Sequence, residues 1–119
     1  MKVRNSFVSN SSSTSFIITN TSNSKKTLVD FVEENPQILK EFTEEYGSLF
    51  DLEEYERRFT EQQMIAGAKA EDIEFKPFES VRCVFGDEEG TVIGEVYDYM
   101  LREGGKSKSF SWRLDEYLR

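Results

Sequence analysis

Histidine is absent from the sequence, cysteine occurs once (Cys83) and proline twice (Pro36 and Pro77). Each shortage excludes a class of chemistry. Without an imidazole the chain builds neither a Ser-His-Asp nor a Cys-His catalytic set, and it lacks the side chain that titrates near neutral pH. One cysteine closes no internal disulfide and is too few for a thiolate zinc site. Long apolar runs are missing as well. The opening MKVRNSFVSNSSSTSFIITN has early positive charge but no apolar stretch after it, and no segment reaches the ~20 apolar residues of a membrane span. The expectation is a cytoplasmic protein without membrane attachment, needing no cofactor, with Cys83 reduced as a small buried strand residue.

What is present is enough for one folded domain. The 119 residues are 37% hydrophobic and 13% aromatic, which supplies a core and excludes a disordered composition. A net charge of −8 argues against generic binding to nucleic acid. That charge is unevenly placed. Residues 1–26 hold Lys2, Arg4, Lys25 and Lys26 with no acid, a sum of +4, which leaves −12 for the rest. Fifteen of those 26 residues are Ser, Thr or Asn, whose side chains compete for backbone hydrogen bonds and disfavour a helix.

The pattern predicts an arm over residues 1–14 and a single α+β domain over 15–119, with a sheet of three or four strands covered by three or four helices. A first strand is expected near Ser15–Asn20. Thr27 with Asp30 reads as a capping box opening a short helix that carries Leu28, Phe31 and Val32. Asn35-Pro36 breaks it and starts another, with Ile38, Leu39, Phe42 and Tyr46 on one face. Ser48 with Asp51 predicts a third helix, with Leu52, Tyr55 and Phe59 on its face, to about Ala66. Ile73 and Phe75 fall in an edge strand or loop because Pro77 follows. Val81, Cys83 and Phe85 alternate as a strand, Thr91 caps a helix bearing Ile93, Val96, Tyr97, Met100 and Leu101, and Phe110, Trp112 and Leu114 mark a last strand. A strand–helix–strand unit of this kind favours parallel pairing of its strands.

Three features are candidate sites. The first is the arm, where Phe7, Val8 and Phe16 bracket the polar run Ser9, Asn10, Ser11, Ser12 and Ser13. A purely solvating tail has no use for such anchors, so the segment reads as one ordered either by packing or by a partner. The second is an acidic block: residues 27–56 hold ten acids and one base, Lys40. Glu33, Glu34, Glu41, Glu44, Glu45, Glu53, Glu54 and Glu56 are its candidate binding residues. Acids occupy the wet face of any amphipathic helix, but ordinary helices intersperse Lys and Arg, and this excess creates a field that attracts a basic surface. The third is the GDEEG loop (Gly86–Gly90), whose Asp87, Glu88 and Glu89 are weak candidates for a cation but lack the spacing of a calcium loop.

The run Lys2 to Ile18, KVRNSFVSNSSSTSFII, resembles the opening of a loose group of small uncharacterised phage and prophage proteins. Those begin Met-Lys-(Ile/Val)-Arg, then Phe-Val-Ser-Asn, a serine run and Ser-Phe-(Ile/Val). Thr14 departs from that pattern, which has serine there. The resemblance implies a phage setting and no particular reaction. Together these readings give the expectation of a small acidic accessory protein that binds and modulates a host or phage protein through a basic surface on that partner. The alternatives are a virion-associated accessory that docks by its arm and a small cation-dependent enzyme.

Overall fold

The computed structural model describes residues 13–46, 58–86 and 91–118. Their elements follow in the order β1 (Ser13–Asn20), β2 (Lys26–Thr27), α1 (Leu28–Glu34), α2 (Pro36–Tyr46), α3 (Glu61–Glu71), β3 (Glu74–Phe75), β4 (Ser80–Gly86), α4 (Val92–Met100), β5 (Gly105–Lys106) and β6 (Phe110–Leu118). The fold is α+β: the described residues form the four helices named above, a four-stranded antiparallel sheet of order β4-β1-β6-β5, and a two-stranded ribbon of β2 and β3. No helix among the described residues is long and apolar enough to cross a membrane.

Local chemistry sets the helix ends. The Thr27 side chain accepts from the Asp30 N–H while the Asp30 carboxylate accepts from the Thr27 N–H, so the capping box forms as the sequence predicts. Asn35 ends α1, its N–H donating to the Val32 carbonyl, and Pro36 opens α2. The expected third helix is corrected. The chain leaves helical geometry at Phe59 and Thr60, and Thr60 caps a new helix by accepting from the Gln63 N–H at 3.2 Å. Phe59 and Met64, just before and inside this cap, are both buried, the pairing of a hydrophobic staple. The helix then runs to Glu71 and not to Ala66, because Asp72 adopts the left-handed conformation (φ 55°) that ends it. The expected Ser48 cap lies outside the described residues.

The sheet departs from expectation in two ways. β1 is central and antiparallel to both β4 and β6, so those two run in the same direction but never touch. The strand–helix–strand unit is split by the N-terminal strand, whose Phe16 and Ile18 are wholly buried and supply the apolar centre that a β4–β6 pair would otherwise have provided. β1 also begins earlier than the sequence suggests, taking in Ser13 and Thr14 from the predicted arm.

A bulge then re-aims the end of β6. Phe16 pairs with Leu114 but Ser15 pairs with Glu116, leaving Asp115 as the extra residue. Phe110 and Trp112 point into the core, and after the bulge Tyr117 returns to the helix side opposite Thr14. The core itself is aromatic: the Phe31 ring meets Tyr97, Phe110 and Trp112 edge-on at 5.1–5.4 Å. Trp112 lies across Gly105, where a Cβ would sit 2.7 Å from the indole.

Candidate functional site

α1 and α2 bury Leu28, Phe31, Val32, Ile38 and Phe42, which forces their polar positions outward. Glu33, Glu41, Glu44 and Glu45 are exposed. None of them is joined to a basic side chain among the described residues, whereas Glu74, Glu95, Asp98 and Asp115 each are. Beside α2 an open groove of about 180 Å³ is floored by Val32, Leu39, Phe59 and Met64, with Lys40 and Glu61 at its rim. At the end of α2, burial and the neighbouring Glu45 carboxylate push the Tyr46 phenol up.

Glu34 has a different task from the rest of the acidic block. Its Oε2 accepts from the Ser109 N–H at 2.7 Å and from the Ser107 hydroxyl, clasping α1 to the β5–β6 hairpin. Burial raises its pKa, but these hydrogen bonds and the charge of Lys26 outweigh that and hold the carboxyl below its ordinary value. A carboxylate tied in this way is a structural clasp. Glu53, Glu54 and Glu56 lie outside the described residues.

The end of the serine run turns out to be interior. Ser13, Thr14 and Ser15 are buried, with Thr14 and Ser15 wholly inaccessible. Each hydroxyl of the latter pair has a carboxylate to donate to, which is the condition for burying it. Thr14 donates to Asp98 Oδ1 at 2.6 Å, and Asp98 is itself only 1% exposed. Arg102, one turn on, donates to the Asp98 carbonyl at 2.7 Å and to Oδ1 at 3.2 Å. Its guanidinium lies over the Tyr99 and Tyr117 rings at 4.9 and 5.2 Å. On the other face of the sheet Ser15 donates to Asp115 Oδ2 at 2.8 Å, which also accepts from Arg82 Nε at 3.2 Å. The Ser15 bond first, then Arg82, hold the Asp115 carboxyl below its ordinary value.

These groups tether the central strand to α4 and β6. Thr14 is closed to solvent, so no substrate reaches its hydroxyl. The Cys83 thiol is pushed up to about 12 by burial and by Glu71, which leaves negligible thiolate at neutral pH. Burial raises the Tyr97 phenol well above its ordinary value, and its hydroxyl, like Asp98 Oδ2, has no partner among the described residues. No group of three or more His, Cys, Asp or Glu is placed to hold a metal among the described residues. Asp87, Glu88 and Glu89, and the arm residues Phe7, Val8, Ser9, Asn10, Ser11 and Ser12, lie outside them.

The residues that sequence reasoning passed over are Asp98, Arg102 and Asp115. One signal was available: Asp98 interrupts the apolar stripe of VIGEVYDYML and has Arg102 four residues on, the spacing of a helical ion pair. Asp115 gave none, because its role depends on the bulge. Comparison of the chain with known protein families, with curated proteins and with solved structures found no match.

Proposed function

We propose that the chain is a small acidic accessory protein, of the phage type its opening resembles, that binds a basic surface on a host or phage protein and modulates that partner. The wet faces of α1 and α2 are the binding surface. The observation that carries this reading is the set of exposed carboxylates of Glu33, Glu41, Glu44 and Glu45, four on two successive helices and none joined to a basic side chain among the described residues, whereas Glu74, Glu95, Asp98 and Asp115 each are. Unpaired charge of one sign on a rigid face steers a partner of opposite sign and speeds encounter. The test is affinity capture from host lysate with the wild-type chain and with E41Q/E44Q/E45Q. A stoichiometric partner should be held by the wild type at low salt, released as salt rises, and recovered poorly by the variant. Equal recovery by both chains, or no partner at low salt, refutes the reading.

A further inference from the structure

We infer that β4 is a dimerisation edge, through which two copies of the chain pair antiparallel about a twofold axis at Cys83 and join their sheets into one of eight strands. β4 is the outermost strand of the sheet. Its outward N–H and C=O groups meet no backbone partner among the described residues. Unpaired edges recruit strands unless they are short, bulged, covered, or carry charge or proline. The opposite edge is protected in this way, since β5 has two residues, one of them Lys106, and the stretch of β6 that β5 leaves uncovered carries the bulge at Asp115. β4 has one such protection, the charge of Arg82, and Asp115 already pairs it. The strand is seven residues long, SVRCVFG, with no proline, no lysine and no irregularity in its pairing with β1.

Two copies of β4 paired antiparallel about Cys83 would set apolar against apolar on the core side. In that register Val81 faces Phe85 of the second copy on the core side, and Arg82 faces Val84 of the second copy on the open side. Opposed Cβ atoms in such a pair lie about 4.5–5.5 Å apart, close enough for the arginine stem to cover the valine. Val84 is 43% exposed in the single chain, and Phe78, in the turn that leads into β4, is 66% exposed. Two of the large exposed apolar side chains therefore border this edge. The charges permit the pairing: Arg82 is already neutralised by Asp115 at 3.2 Å, and the two arginines sit diagonally and not opposite each other. A twofold axis closes the assembly at two copies, so the contact leads to a dimer and not a fibre.

The test is sedimentation of the purified full-length chain over a range of concentrations. The wild type should approach twice its 13.9 kDa mass at high concentration and dissociate on dilution. Val84→Lys adds an edge charge facing Arg82 of the second copy. It should lose the doubled mass while keeping its circular dichroism, and Val84→Thr should keep both. Ser80→Lys, at the exposed start of the same edge, is a second charged variant expected to weaken the dimer. A wild-type chain that stays monomeric at every concentration, as it would if the edge served a strand from another protein, overturns the inference. So does an unchanged mass for Val84→Lys. The acidic face lies on α1 and α2, so this result is read independently of the proposed function.

Discussion

The pair formed by Thr14 and Asp98 offers a test in which two physical arguments rank the same substitutions in opposite order. Thr14 is wholly buried and its hydroxyl donates to a carboxylate 1% exposed, over 2.6 Å. Thr14→Val keeps the volume and removes the donor. Asp98 Oδ2 already lacks a partner among the described residues, so the carboxylate would then depend on Arg102 alone. A hydrogen bond to a charged group contributes about 1.5–3 kcal/mol. At about 2.1 cal/mol/K per residue, unfolding 119 residues carries roughly 0.25 kcal/mol/K, so Tm should fall by about 6–12 °C. Thr14→Ser keeps the donor and removes one buried methyl, at a cost of about 1 kcal/mol or roughly 4 °C. Packing volume and strand propensity alone would make valine the milder change. Thermal melts followed by circular dichroism decide between them. If Thr14→Val melts at or above Thr14→Ser, the hydroxyl is not holding Asp98, and the reading of the buried serine-run end as a tether fails.

Three further outcomes follow from the same geometry. With its thiol pushed up to about 12, Cys83 should resist a thiol-specific chromogenic reagent in the folded protein near pH 8 and react stoichiometrically in denaturant; fast reaction in native buffer would contradict its burial. Glu34 has a folded pKa below its ordinary value, so the unfolded chain takes up a proton first on acidification. The stability it contributes is present above about pH 4.3 and is lost as pH falls through the folded value. The gap in urea midpoint between wild type and Glu34→Gln should therefore narrow from about pH 6 to about pH 3, and a constant gap would remove the clasp from the account. Gly94→Ala should destabilise by about 1–3 kcal/mol in urea unfolding although alanine is the better helix former, because its Cβ would lie 2.3 Å from the Gly86 carbonyl oxygen; a stabilised variant would show that α4 can lift off the end of β4.

Interactions short in sequence were legible, and those that join distant segments were not. The Thr27–Asp30 box, the Asn35-Pro36 break, the Thr91 cap and the Phe110–Trp112 alternation each depend on neighbours within a few residues. The interior place of Thr14 and Ser15 depends on Asp98 and Asp115, 84 and 100 residues away, and a polar run looks like an arm until those partners are known. Glu34 shared a wet helical face with its neighbours until the hairpin, 73 to 75 residues on, folded against it. The parallel pairing expected of β4 and β6 gave way because no local signal shows that the N-terminal strand inserts between them. The same finding alters a natural experiment on the arm. A deletion through residue 14 would cut into the central strand, whereas one through residue 12 leaves β1 whole.

The central claim is that the uncompensated acids of α1 and α2 are the working surface. The most direct measurement is the association rate between the purified chain and its captured partner as a function of ionic strength, compared with E41Q/E44Q/E45Q. The account predicts a rate that falls steeply with salt for the wild type, and a lower, flatter dependence for the variant. Equal rates and equal salt slopes for the two chains would contradict it.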